Sequence, residues 1–330
     1  MTNHLQHPYD ELTPDRVLDA VEEQGFHSDA RIYPLNSYEN RVYQVGLEDS
    51  QPIIAKFYRP ERWSDAQILE EHAFTRELAD LEIPVVPPMV NSNNETLLSC
   101  HGFRFALFER RGGRAPELDN PDNLEILGRY LGRIHAAGQA SDFAHRPGID
   151  VQSYAIDSFE YLTKSDFIPI ELATSYRTLC EDLIAKLQQL FDIVPFRNIR
   201  LHGDCHPGNI LWRDDLPNFV DFDDCRSGPA IQDLWMLLSG DRAQQTAQML
   251  DILEGYEQFC DFDPAELSLI EGLRTLRIMH YAAWLARRWD DPAFPRVFSW
   301  FNTPRYWGDH ILELREQLAA LQEPALRLVP

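Results

Sequence analysis

The chain has 330 residues, more than one efficiently buried core accommodates, so two lobes are expected. A formal net charge of −23 speaks against nucleic acid and anionic membranes as partners, although one local cation and a metal still permit nucleotide binding. No run approaches the ~18 apolar residues of a membrane span, the polar start MTNHLQHPYDEL does not read as a signal peptide, and Cys100, Cys180, Cys205, Cys225 and Cys260 lack CxxC spacing, which suits reduced thiols in a cytoplasmic protein better than a zinc site or disulfides.

In chain order, Thr13-Pro14 supplies an N-cap and a first-turn proline for a short helix ending near Gly25. Strand-like runs follow at 31–36, 41–47 and 52–58. Ser64-x-x-Gln67 is a capping-box start for a helix to about residue 81, with Ile68, Phe74 and Leu78 along one side. Short strands at 89–90, 96–99 and 103–109 complete a small lobe. The run Arg110-Arg111-Gly112-Gly113-Arg114 reads as a hinge, which divides the chain at 1–111 and 112–330. Beyond it Asn120-Pro121 opens a helix carrying Leu124, Leu127, Leu131 and Ile134. Residues 142–172 read as irregular and acidic, and 176–190 as an amphipathic helix. Further helices are expected at 231–238, 243–260, 265–289 and 305–321, with Asp263-Pro264-Ala265-Glu266 as a capping box and Thr303-Pro304 starting the last. The fold class is α+β: a small β-rich N-terminal lobe and a larger, mostly helical C-terminal lobe.

Residues 199–223 concentrate the chemistry. Two β-prone runs, 210–212 and 219–222, flank turn residues 213–218, a hairpin pattern. Pairing Trp212 with Phe219 sets Ile210 opposite Asp221, so Asn209 and Asp221 lie side by side at the open end, with Asp204 on the loop that feeds it. One amide and two carboxylates suit a hard cation such as Mg²⁺, held by one or two carboxylates and substrate phosphates, which leaves a second carboxylate to handle a proton. Lysine is rare: only Lys56, Lys164 and Lys186 occur, and Lys56 lies inside the apolar strand Ile53-Ile54-Ala55-Lys56-Phe57-Tyr58. Glu71 shares the inward stripe of Ile68, Phe74 and Leu78 and can sustain the charge of a buried Lys56, with Glu70 as the alternative.

His202-Gly203-Asp204-x-His206-x-x-Asn209, followed twelve residues later by Asp221, resembles kinase-type phosphotransferases of the aminoglycoside and choline kinase branch. The resemblance makes Asp204 and Asp221 the catalytic carboxylates. Asp204 meets the acceptor hydroxyl and takes its proton, Asn209 and Asp221 bind Mg²⁺, and Lys56, paired with Glu71, contacts the ATP phosphates. Asn36-Ser37-Tyr38-Glu39-Asn40 stands where such enzymes cover the phosphates, but it has no glycine, so Ser37 and neighbouring backbone N–H groups must substitute. Asp233 matches a residue that braces the catalytic loop, and His202 reads as a packed core histidine. His206 is open between phosphate contact and loop bracing. Cys205 adjoins Asp204, so an oxidative adduct there is expected to disturb the loop.

The likeness runs nearly end to end, through LNSYENRVYQ at 35–44, KFYRPERW at 56–63, QILEEH at 67–72, GRYLGR at 128–133, RLHGDCH at 200–206, GNILWRD at 208–214, GPAIQDLWMLL at 228–238 and AWLARRWDDPAFP at 283–295. In these the chain resembles the bacterial stress response kinases of that superfamily. The resemblance implies a protein-kinase-like fold and a monomeric cytoplasmic Ser/Thr protein kinase that uses ATP and Mg²⁺ and aids survival of stress. Two alternatives stand beside a protein acceptor: a kinase of amino alcohols or aminoglycoside-like molecules, and a non-enzymatic nucleotide-binding regulator. The latter would be marked by loss of Asp204, Asn209 or Asp221, all of which are present.

Overall fold

The side chain of Thr13 accepts the Arg16 N–H, and Pro14 takes the first position of α1 (Pro14–Glu22). This is the first helix of a computed structural model that describes residues 8–328; the first seven residues of the polar start lie outside the described residues. Strands β1 (Ser28–Pro34), β2 (Arg41–Leu47) and β3 (Ile53–Phe57) lead to α2 (Asp65–Asp80), and β4 (Leu98–Cys100) and β5 (Phe103–Glu109) follow. The five strands form one antiparallel sheet in the order β1-β2-β3-β5-β4.

Both faces of β3 are covered, and that determines where Lys56 goes. Ile53, Ala55 and Phe57 pack with Val17, Ala20 and Val21 of α1. The alternation of a strand therefore turns Lys56 and its cross-strand partner Ala106 to the other face, where Ala106 packs with Tyr58, Trp63 and Ile68. The predicted capping box of α2 is present: Ser64 Oγ accepts the Gln67 N–H at 3.3 Å, and Gln67 Oε1 accepts the Ser64 N–H at 2.9 Å. Its stripe of Ile68, Phe74 and Leu78 is fully buried. The run expected as a strand at 89–90 is not one: the Met89 N–H donates to the Leu107 carbonyl at 2.7 Å, and the neighbouring Pro88 makes an isolated bridge to Phe108.

The helical remainder comprises α3 (Pro121–Gly138), α4 (Asp157–Lys164), α5 (Ile170–Ile193), α6 (Ile231–Leu234), α7 (Arg242–Tyr256), α8 (Ile270–Arg287), α9 (Ala293–Val297) and α10 (Pro304–Ala320), with a two-stranded antiparallel sheet of β6 (Ile199–Leu201) and β7 (Arg226–Gly228). Among the described residues, no helix is long and apolar enough to cross a membrane. Two expectations are corrected. The irregular stretch 142–172 contains α4 and the first turn of α5. Neither helix has a side-chain cap, since α4 continues from a π-helical turn at Gln152–Ile156 and α5 follows Pro169, so no start signal is written in the sequence. At 263–266 only half a capping box forms: Asp263 accepts the Ala265 N–H, but Glu266 is buried and accepts the N–H of Ile231 at 2.9 Å instead.

Contacts divide the chain into two units. The first runs to Glu117 and takes in Phe143–Arg146 and His206–Cys225; the second holds the rest. The sequence reading keeps residues 112–330 together. Segment 206–225 nevertheless groups with the sheet-bearing unit, because Phe222 packs on Phe74 of α2, Phe219 bridges Val85, and Trp212 bridges Arg114.

In the second unit, α3 and α7 approach closely enough to explain the glycines of GRYLGR. A Cβ on Gly128 would stand 1.8 Å from the Ile252 carbonyl oxygen, one on Gly132 2.4 Å from that of Tyr256, and one on Gly255 2.0 Å from that of Glu125. Gly128→Ala should therefore destabilise the protein by about 1–3 kcal/mol through overpacking, despite alanine's better helix propensity. Gly308→Ala, on α10 with open space around it, should instead stabilise by about 0.5–1 kcal/mol. Urea unfolding of both variants checks the contrast, and equal effects would refute the close approach.

Candidate active site

Strand β3 presents the Lys56 ammonium to three carboxylates of the first unit: Asp223 Oδ1 at 3.1 Å, Asp221 Oδ1 at 3.2 Å and Glu71 Oε1 at 3.4 Å. Burial alone would lower the lysine's pKa, but Asp223, Glu71 and Asp221 outweigh it and hold Lys56 well above its ordinary value. Burial raises the Glu71 carboxyl, against the pull of Lys56 and Arg146. For Asp223 the balance falls the other way: burial would raise it, but Arg62 and Lys56 hold it below the usual carboxylate value.

Glu71, rather than Glu70, is the partner of Lys56. Glu70 is occupied as an acceptor for the backbone N–H groups of Ala144, His145 and Arg146 at 2.6, 2.9 and 2.7 Å. That places the Arg146 guanidinium beneath the site. It donates to Glu71 Oε2 at 3.0 Å and to the carbonyls of Asp223 at 2.6 Å and Cys225 at 3.1 Å, and it stacks on Trp63 at 4.6 Å. Sequence reasoning missed both Arg146 and Asp223. Arg146 lies in a stretch without periodicity, 75 residues from Glu71, and Asp223 was visible only as a second acid beside Asp221.

The hairpin register differs from the predicted one by two residues. Ile210 pairs with Phe219, and Arg213 with Leu216. Asp214 and Asp215 both take left-handed backbone, φ 53° and 59°, so the loop is a tight two-residue turn rather than the six residues assumed. Asn209 therefore faces Val220, whose N–H donates to the Asn209 carbonyl at 3.0 Å, and Asp221 follows one residue later. Asp221 itself has left-handed backbone (φ 61°), which Asp tolerates better than most residues, and its side chain is half exposed. Ser37 is half-buried in the glycine-free loop, its N–H bonded to the Leu35 carbonyl at 2.8 Å.

Asp204 belongs to the second unit, where Arg277 of α8 donates to its Oδ1 at 2.5 Å. Asp233 of α6 braces its loop: its two oxygens accept the N–H groups of His202 and Gly203, each at 2.8 Å, and His135 lies 3.1 Å away. Burial would raise the Asp233 carboxyl, but these hydrogen bonds and the two histidines hold it low. Gly203 has φ +85°, a conformation in which a side chain would be strained. His202 is buried, as read from the sequence. His206 braces the loop through its Nδ1, which accepts the Gly208 N–H at 3.0 Å. Cys205 does not favour the oxidation expectation: it is fully buried, and burial, then Asp233 and Asp204, push its thiol well above its ordinary pKa. Burial pushes Cys225 up to about 12.

Behind Lys56 and Glu71, His72 bridges the Tyr58 hydroxyl at 2.7 Å and Thr96 Oγ1 at 2.9 Å. Burial, then Lys56 and Arg146, lower its pKa from 6.5 to about 3. The unfolded chain thus takes up a proton below pH 6.5 that the folded chain refuses until about pH 3. His72 contributes fully above pH 6.5, and stability falls with declining pH by up to about 1.4 kcal/mol per unit across that window. His72→Gln should flatten the stability profile between pH 7.5 and 5.5 by about 1 kcal/mol, as read from denaturant midpoints. An unchanged slope would mean that His72 is not the group titrating.

Residues 31–270 match the family model described as phosphotransferase enzyme family. The chain is 49% identical over 328 residues, 99% of each chain, to stress response kinase A of Escherichia coli O157:H7. It is 47% identical over 319 residues, 97% of this chain and 96% of the other, to a protein named serine/threonine protein kinase RdoA from Salmonella typhimurium (strain LT2). Among solved structures, an amicoumacin kinase in complex with AMP-PNP and Ca²⁺ has the same fold, with a TM-score of 0.69 at 21% identity over 92% of this chain and 94% of that one.

Proposed function

The chain belongs to the phosphotransferase enzyme family, and from that premise we propose that it is an ATP- and Mg²⁺-dependent Ser/Thr protein kinase acting in bacterial stress response. The observation that carries the reading is the buried Lys56 ammonium, held by Glu71 at 3.4 Å and Asp221 at 3.2 Å, because a lysine kept charged by carboxylates is what polyphosphate binding requires. Asn209 and Asp221, one register position apart on the hairpin, carry oxygen donors of the kind Mg²⁺ takes, and in this reading they would hold it. Bound there, the ion neutralises charge on the transferring phosphates. Lys56 binds phosphate oxygens, and Ser37 covers them. Asp204 orients the acceptor hydroxyl and receives its proton as the acceptor O–P bond forms and the bond to ADP breaks. In this reading Asp204 and Asp221 are the catalytic pair. The split into an N-terminal nucleotide lobe at 1–111 and an acceptor lobe at 112–330 belongs to the same proposal.

A protein acceptor is supported by the names of the full-length relatives and by Arg277, whose guanidinium on Asp204 would repel a cationic amine brought to that carboxylate. We place the enzyme in the cytoplasm as a monomer, without nucleic-acid or membrane partners, in keeping with its charge of −23. Phosphorylation of small amino alcohols but of no protein, itself included, would replace this with the small-molecule reading.

Lys56→Ala should lower kcat/KM by at least about 10²-fold, whereas Ser37→Ala should mainly raise the KM for ATP. Asp221→Asn should weaken Mg²⁺-dependent binding of a non-hydrolysable ATP analogue. Asp204→Asn should bind the analogue normally yet lose about 10²–10⁴-fold in kcat. Calorimetric titration with and without Mg²⁺ separates the two carboxylates, and the opposite pattern would reverse their roles.

A further inference from the structure

The segment KFYRPERW joins β3 to α2, and its two central arginines have no part in the chemistry above. Arg59 holds the glycine-free loop at three residues, through backbone and side chains. Its N–H donates to Asn40 Oδ1 at 3.0 Å, its Nε to the Glu39 carbonyl at 2.9 Å, and its Nη2 to the Tyr38 carbonyl at 3.1 Å. Arg62 shares the loop's carboxylate with Arg59, its Nε 3.6 Å from Glu39 Oε1 against 3.1 Å for Arg59 Nε, and turns its other nitrogens to the segment that carries Asp221: Nη1 to Asp223, and Nη2 to Asp224 at 2.6 Å. The guanidinium is nearly buried and stacks on Trp63 at 5.2 Å. Glu61, just before it, has left-handed backbone (φ 64°), an unusual conformation for that residue and a local cost that the surrounding contacts sustain.

We propose that Arg62 is a positioning residue of the nucleotide site: it ties the phosphate-covering loop to Asp223 and Asp224 and neutralises those acids, so that the loop is set before nucleotide arrives. The inference rests on the kinase reading. Glycine-rich covers let backbone come close to phosphate by being pliant, whereas this loop has no glycine, is held by side chains at three consecutive residues, Tyr38 to Asn40, and runs straight into the strand pairing of Arg41. Without Arg62, Asp223 and Asp224 lose a shared guanidinium beside the place a triphosphate must occupy, and Glu39 is left to Arg59 alone. Lysine would supply one compact charge but not a planar fork that reaches three acids.

The test is calorimetric binding of a non-hydrolysable ATP analogue with Mg²⁺, alongside steady-state kinetics. Arg62→Ala should weaken binding about tenfold or more, with the change in KM for ATP exceeding that in kcat. Arg62→Lys should fall between the two, and adding Asp224→Asn to Arg62→Ala should recover part of the lost affinity by removing an uncompensated acid. A bracing role alone would lower the melting temperature without this rescue. If Arg62→Ala does not fold, Arg62→Lys and Glu39→Gln carry the test, and wild-type affinity in both would overturn the proposal. Wild-type affinity in a folded Arg62→Ala would overturn it too and leave the kinase reading intact, whereas a wild-type protein that binds no Mg·nucleotide would sink both.

Discussion

A lysine buried between a sheet and a helix must be compensated, and most of the first unit's polar architecture follows from compensating Lys56. Removing an ammonium from water costs several kcal/mol unless carboxylates surround it. Glu71, Asp221 and Asp223 do so at 3.1–3.4 Å, but each is then an acid in need of its own partners. Arg146 answers Glu71, and Arg62 answers Asp223 and Asp224. Arg62 and Arg146 in turn lie over the same indole of Trp63. Replacing such a cluster with apolar side chains is often neutral or stabilising in other proteins, so its presence speaks for use rather than for stability.

The second unit repeats this logic around a buried acid. Asp233 accepts two backbone N–H groups and a histidine, and His135 continues to the Tyr256 hydroxyl at 2.8 Å. This network lets the chain turn through Gly203 in a left-handed conformation and still satisfy its N–H groups, which fixes the stem from which Asp204 projects. The glycine contacts of α3 and α7 serve the same end, since they bring His135 of α3 and Tyr256 of α7 within hydrogen-bonding reach of each other.

Local signals in the sequence located what local physics determines. The capping box at Ser64 and the stripe of Ile68, Phe74 and Leu78 turned Glu71 inward, the kinase resemblance paired a glutamate of that helix with Lys56, and the structure has the pair in contact. What stayed hidden depends on long-range contact or on unusual backbone. Arg146 reaches the site only because Glu70 gathers three N–H groups of residues 144–146, an arrangement with no periodicity to reveal it. The hairpin slipped by two because consecutive left-handed aspartates are a weaker turn signal than Asn-Gly or Asp-Gly. Arg277 comes to Asp204 from a helix 73 residues away. α4 went unseen because it starts without a cap.

The scarcity of lysine acquires a physical sense at this site. The chain has 3 lysines among its 30 basic residues. Where cations are buried to organise acids and carbonyls, as at Arg62 and Arg146, each guanidinium serves several oxygens at fixed angles, which an ammonium does less well. Lys164 is exposed and pairs with Glu160 along its helix. Lys56 is buried, and the proposed function gives a reason for a compact charge with rotatable donors there, because the phosphate oxygens it would bind belong to a ligand that arrives and leaves. A guanidinium there would have to place its planar fork among Glu71, Asp221 and Asp223 and would hold them as Arg62 holds its own acids. Under the proposed function, the point charge would leave Asp221, the most exposed of those three carboxylates, free to exchange the lysine for a metal ion without dismantling the rest.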